Sequence, residues 1–414
     1  MEASDNDKMN GKKDIKCSDD RYILENILCI PLILNEILLF INKEDIKSLS
    51  LCNKRIYKKY CEHIQNIKIN LDDSYELKSI DIKKYENIRK LDLNSKYNKE
   101  IKDFSFISSF KFLEELYINC VGISDISFLK NNKNIKIFEL LGCRDNIKDY
   151  SPISYLDNLQ ELKITGDISD ISFLKNNKNI KKLNIKYCRF LIEDLSYISC
   201  LEKLEELYVN VGVSDISFLK NTKNITKLDL NLCEKIKDFS SISYLKELEY
   251  LDVIHTNISD VLFLKNNKNI KKIDLNLCKK IKDFSFISHL DKLEELNAEG
   301  TNISDISFLK SNKNLKILNI NNCKLIKDFS SISYLKDLEH LNTQNTNIFD
   351  ISFLKNNKSI KKLNLIECYE IKCFSFISEL EKIEYLDISY NDVSDISFLK
   401  NNKNIKILQL IFCN

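Results

Sequence analysis

The sequence contains no tryptophan, two prolines, six glycines and four histidines in 414 residues, and its charge is balanced: 63 Lys+Arg against 61 Asp+Glu, a net of +2. No Gly-rich phosphate loop and no HExxH motif occurs, and His63, His255, His289 and His340 stand in no nucleophile or zinc arrangement. The usual signatures of nucleotide-handling and metal-dependent enzymes are therefore missing. The lack of a basic or acidic surplus gives no pointer to nucleic acid or lipid head groups. The longest apolar run, residues 27–41, is interrupted by Pro31, Asn35 and Glu36 and falls short of the ~20 residues a membrane helix needs. Residues 1–20 are polar and mixed in charge, so they lack the apolar heart of a secretory signal and read as a disordered tail. Together these absences predict a non-catalytic, cytoplasmic or nuclear protein with no cofactor and no metal, and with neither nucleic acid nor membrane as partner.

What is present is cysteine and repetition. There are fourteen cysteines and no CxxC, and seven of them, Cys143, Cys188, Cys233, Cys278, Cys323, Cys368 and Cys413, recur every 45 residues. A motif typified by "SDISFLK" keeps the same period, starting at Ser124, Ser169, Ser214, Ser259, Ser304, Phe349 and Ser394. Within one unit, Ile225-x-x-Leu228-x-Leu230-x-x-Cys233 is followed by Leu248-x-x-Leu251-x-Val253-x-x-Thr256-x-Ile258, so the 45 is a doublet of 23 and 22. Both halves resemble the leucine-rich repeat, L-x-x-L-x-L-x-x-N/C-x-L. That pattern predicts a short strand with its L-x-L side chains inward, a corner filled by Cys, Thr256, Thr301, Thr346 or Asn391, and a return segment on the convex side.

Several further expectations follow from the register. Column cysteines two strands apart lie ~9.5 Å from one another, beyond the ~7 Å Cα limit for a disulfide, so they should be reduced thiols in the core. Asp125 and its six equivalents should cap the return segment, and the "NNKN" that follows should make the turn into the next strand. The files Phe128 to Phe398 and Phe239 to Phe374 should each stack as an aromatic spine. Counting inward residues from Leu91 to Leu408 predicts about fifteen parallel strands. The fold class is then an α/β solenoid, a leucine-rich-repeat horseshoe over residues 88–414 with a parallel concave sheet. No polar terminal repeat follows Cys413, so the last core layer should lie open or be covered by another molecule.

Residues 21–62 break the period. Pro31 suits the first turn of a helix that is apolar nearly all round from Leu32 to Ile41, and Asn42 can cap a second helix with Asp45 in its first turn. The residues Ile30-Pro31, Ile37, Ile41 and Asp45-Ile46-x-x-Leu49-x-Leu51-x-x-Lys54-Arg55 resemble the F-box, the helical motif that docks on the Skp-type adaptor of cullin-RING ubiquitin ligases. The resemblance implies adaptor contacts at Ile30, Pro31, Leu34, Ile37, Leu38, Ile41, Asp45, Ile46, Leu49 and Leu51. The plainer alternative is a helical cap that seals the first repeat. Residues 63–87 read as a linker and N-terminal cap, with Ile64, Ile67 and Ile69 making an atypical strand. The corner "CEKIKD" at residues 233–238 resembles F-box/leucine-rich-repeat proteins, whereas "NISDISFL" at 302–309 looks more like the internalin type.

Two functions fit this organisation. The first is the substrate receptor of a Skp–cullin–F-box ligase, partnered by the adaptor, through it a cullin, and a protein substrate on the concave face. The second is a leucine-rich-repeat scaffold or effector with no link to ubiquitin. Side chains flanking the inward leucines face a partner, and among them Tyr117, Tyr208, Tyr250, Tyr385 and His340 are candidate contacts, tyrosine being a common binding hot spot. Asp229, Asp252 and Asp274 on adjacent strands are a candidate acidic patch for a basic segment. Alternatively, lysines of the neighbouring column such as Lys227 and Lys272 neutralise them internally.

Overall fold

The computed structural model describes residues 66–70, 87–95, 103–143, 147–166, 168–186, 188, 192, 194–209 and 212–413. The tail, the F-box-like segment and most of the linker lie outside these residues. Among the described residues the strands are β1 (Asn66–Asn70), β2 (Lys90–Ser95), β3 (Glu115–Cys120), β4 (Ile137–Cys143), β5 (Glu161–Gly166), β6 (Lys182–Asn184), β7 (Glu206–Tyr208) and β8 (Lys227–Asp229). There follow β9 (Tyr250–Asp252), β10 (Lys272–Asp274), β11 (Glu295–Asn297), β12 (Ile317–Asn319), β13 (His340–Asn342), β14 (Lys362–Asn364), β15 (Tyr385–Asp387) and β16 (Ile407–Gln409).

All sixteen form one sheet in strictly sequential order, each parallel to the next. The register places Leu228 beside Leu251, Leu251 beside Ile273 and Ile273 beside Leu296, the inward column read from the sequence. Every member of that column from Leu91 to Leu386 is at most 1% exposed, whereas Leu408 in the last layer is 39% exposed. Each such burial contributes about 1.5–3 kcal/mol. The strand beyond the expected fifteen is β1, which pairs Ile67 with Leu91 and Ile69 with Leu93, where a capping strand was anticipated.

The return segments are 3-10 turns of four or five residues, such as Ser127–Asn131 and Ser240–Tyr244, and no α-helix occurs among the described residues. The α/β expectation is corrected accordingly. With 22 or 23 residues per repeat, the segment between two strands leaves room for about one turn of helix. The turns start as expected: Asp125, Asp170 and Asp350 each accept the backbone N–H of the serine two residues on, at 2.8, 2.7 and 2.8 Å. Long repeats do the same with Asp103 and Asp328, at 2.8 Å each.

The aromatic files differ from expectation. Members of one file are two repeats apart, too far to touch, and the ring contacts run between files: Tyr150 with Phe173 at 6.3 Å and Phe374 with Phe398 at 6.0 Å.

The corner has one backbone requirement. The residue before each corner side chain adopts a left-handed conformation, with φ of 64° at Leu232, 59° at Leu277 and 62° at Gly300. This turns its N–H forward onto the next strand: Leu232 N–H reaches Ile254 O at 2.9 Å and Gly300 N–H reaches Asn321 O at 2.8 Å. Behind it, the column cysteines are unpaired thiols. Burial pushes the Cys143 and Cys233 thiols up to about 12.

Candidate functional site

Three columns of side chains cover the open face of the strands. In the outermost, long repeats carry a basic residue and short repeats an acidic one except at Thr226 and Gln160, so neighbouring strands form ion pairs. Lys136 meets Glu114 at 2.6 Å, Lys271 meets Glu249 at 2.9 Å, Lys361 meets Glu339 at 2.7 Å and Lys406 meets Glu384 at 2.7 Å. These pairs are exposed and contribute about 0–1 kcal/mol each, but they cancel the charge along this rim.

The middle column comprises the residues just before the inward leucines. From β2 to β11 it alternates in a similar way except at Ile137 and Tyr250: Lys90 pairs with Glu115 at 2.7 Å, Lys227 with Glu206 at 2.6 Å and Lys272 with Glu295 at 2.7 Å. Lys227 and Lys272 thus pair with glutamates of their own column, while Lys272 also lies close enough to Asp274 to favour its charged form.

The third column lies between the two inward residues of each strand and is rich in Asp and Asn for a backbone reason. Asp229, Asp252, Asp274, Asn319, Asn342 and Asn364 each accept, through Oδ1, the N–H of the residue two further on, at 3.1, 2.9, 3.0, 3.1, 3.0 and 3.0 Å. This Asx turn ends the strand. Asp229 and Asp252 are each only 5% exposed. Asp229 is ion-paired to Lys186, a partner two strands away that sequence spacing did not reveal. Burial, with Asp229 and Asp274 on either side, raises Asp252 to about 6, and burial also raises Asp274.

The tyrosines are half-buried and their hydroxyls are engaged. Tyr117 donates to Glu115 at 2.9 Å, Tyr208 to Glu206 at 2.8 Å, and Tyr250 to Asp252 at 3.3 Å. Tyr385 donates to Asp387 at 3.2 Å and to Gln409 at 3.0 Å. Lys90, Lys182 and Lys272 lie over the rings of Tyr117, Tyr208 and Tyr250 at 4.7, 5.9 and 5.6 Å.

On β12–β16 the middle column changes character. It reads Ile317, His340, Lys362, Tyr385 and Ile407, all in register, and these line a groove of about 510 Å³ on the strand face. Of the contacts expected from sequence, the structure brings His340 and Tyr385 together here; Tyr250 and the three aspartates lie on β8–β10, and Tyr117 and Tyr208 on β3 and β7. Burial and the neighbouring Lys362 hold His340 below the usual imidazole range. Ile317, Lys362 and Ile407 were missed, although a signal existed for the two isoleucines: each stands where a long repeat of this column usually carries lysine.

Residues 291–336 match the family described as Leucine Rich repeats (2 copies). No curated protein matches the chain. Solved structures do. An internalin (inlF) from Listeria monocytogenes is 22% identical, covering 88% of this chain and 93% of that one, with a TM-score of 0.55. A leucine-rich-repeat protein from Leptospira interrogans is 18% identical over 84% of this chain and 88% of its own, with a TM-score of 0.60. The functional domain of InlJ from Listeria monocytogenes, described as including a cysteine ladder, is 16% identical over 84% and 74%, with a TM-score of 0.58. Residues 291–336 therefore carry leucine-rich repeats, and the chain shares the solenoid fold of these internalin-like structures.

Proposed function

We propose that this chain is a non-catalytic receptor that holds a protein partner on its strand face, chiefly in the groove of β12–β16. The observation that carries this reading is where the repeats differ. Turn positions such as Asp125, Asp170 and Asp215 recur because the fold needs them, whereas Tyr250, Ile317, His340 and Tyr385 occupy one column whose residue type changes from strand to strand. Tyr117, Tyr208, Tyr250, Tyr385 and His340 are the proposed contacts, with Asp229, Asp252 and Asp274 a secondary patch. Capture of a partner from native cells by the tagged full chain, and loss of that capture on combined replacement of His340 and Tyr385 by Ala, is the expected result.

The finer reading is that of substrate receptor in a Skp–cullin–F-box ubiquitin ligase. It is supported by the pattern from Ile30-Pro31 to Leu51 and by the placement of that segment before a run of repeats. In that scheme residues 30–51 dock on the adaptor, and the chain promotes ubiquitin transfer by raising the effective concentration of its substrate. The unpaired thiols accord with a cytoplasmic or nuclear site, where cysteines stay reduced. Co-purification of a Skp-type adaptor that is lost on replacing Pro31 and Leu34 tests it. A partner captured with no adaptor supports the scaffold reading instead.

A further inference from the structure

We propose that the groove between β12 and β16 takes an extended partner segment bearing one carboxylate, which pairs with Lys362, flanked by apolar side chains that rest on Ile317 and Ile407. This deepens the protein-binding reading above and rests on it.

The argument is one of unmatched charge. In the two outer columns of the strand face every other lysine or arginine among the described residues has a carboxylate partner, from Lys90 with Glu115 to Lys406 with Glu384. Lys362 has none. Its neighbours in register are His340 and Tyr385, and the nearby acids are committed elsewhere: Glu295 to Lys272, Glu339 to Lys361 and Glu384 to Lys406. The Tyr385 hydroxyl is turned to Asp387 and Gln409. The groove floor thus presents at its centre one cation with no ion-pair partner among the described residues, reached only at longer range by the Glu384 carboxylate already paired to Lys406, with an isoleucine two strands away on each side.

Those four strand steps span ~19 Å, the reach of about six extended residues. A segment in the extended polyproline-II conformation returns to the same face at every third residue, ~9.3 Å further on, which matches two strand steps, so an acidic side chain with apolar ones three positions away on each side fits the column. Binding also has a proton linkage. The groups facing His340 are Glu339 just before its own strand, Lys361 just before β14 and Lys362 on it, and Glu295 on β11. A carboxylate arriving at Lys362 offsets the repulsion that this lysine exerts on the imidazolium, so His340 gains a proton more readily in the complex and affinity rises as pH falls through the range in which this lowered imidazole titrates.

The test uses the full chain with labelled isoleucine methyls and two end-blocked heptapeptides, Leu-Ser-Ser-Glu-Ser-Ser-Leu and its Gln twin, at low ionic strength. The Glu peptide should shift the Ile317 and Ile407 methyls and the His340 ring, and bind at least fivefold more tightly than the Gln twin. Lys362→Met should abolish that difference; Lys272→Met, a paired lysine of the same column, should leave it intact. Equal affinity of the two peptides, a preference that survives Lys362→Met, or no shift at the groove from either peptide overturns the proposal. None of these results touches the strand-face reading, which fails separately if partner capture from native cells is insensitive to the His340 and Tyr385 replacements.

Discussion

At the residue scale, the Asp and Asn side chains of the third column do two jobs that composition cannot separate. Each ends a strand through its Oδ1, and asparagine does this as well as aspartate, as Asn319, Asn342 and Asn364 show. The charge on Asp252 is therefore not needed for the turn, and it is costly where it sits. Its carboxyl titrates near 6 in the folded chain against about 4 when unfolded, so its proton favours the folded state; that stabilisation is complete below about pH 4 and is lost as pH rises through about 6. Asp252→Asn is expected to stabilise the protein by about 1–2 kcal/mol at pH 7, after allowance for partial solvation, and to make no difference near pH 4. Denaturant titration of both proteins across this range checks it; only the difference between them counts, because the carboxyls of Asp103, Asp328 and Glu114 are lowered and act in the opposite sense.

At the scale of the repeat, the doublet has a physical cause. The carbonyl of Val253 in a short repeat accepts from its own corner hydroxyl, Thr256 Oγ1 at 2.8 Å, and from the thiol of the following long repeat, Cys278 Sγ at 3.0 Å. Ala298 with Thr301 and Cys323, and Thr343 with Thr346 and Cys368, repeat this arrangement. Long repeats thus reach back to short ones through sulfur. Short repeats reach back to long ones on the convex side: Asn357 Nδ2 donates to Ile332 O at 3.0 Å and Leu335 O at 2.8 Å, and Asn267, Asn312 and Asn402 do likewise. The "NNKN" string makes the turn expected from sequence and also supplies this stitch. Asn357→Ala should cost about 1–3 kcal/mol, since it removes two buried hydrogen bonds. Thr222, which bonds only within its own turn, offers the converse, and Thr222→Asn should raise the melting temperature.

At the scale of the molecule, strict neighbour-to-neighbour pairing from β1 to β16 makes stability a sum over repeats and their interfaces. Leu251→Ala, in the middle of the sheet, should cost about 2–5 kcal/mol locally. Amide hydrogen exchange should show lost protection centred on β8–β10 and fading within a few strands, with β13–β16 and the groove unaffected. Uniform loss across the sheet would mean that the solenoid opens as one cooperative unit.

The sequence by itself determined the strand positions, their register, the inward leucines, the capping aspartates and the free state of the ladder cysteines. Each follows from a period repeated often enough to set which side chains face inward. Only the tertiary structure decided that the return segments are 3-10 turns, that Lys186 reaches Asp229, that the aromatic files interleave, and that Lys362 stands between His340 and Tyr385 without an ion-pair partner. These depend on which side chains of different repeats come within a few ångströms of one another. A one-dimensional period specifies the spacing between repeats, whereas charge pairing and the shape of a groove arise from the side chains that break it.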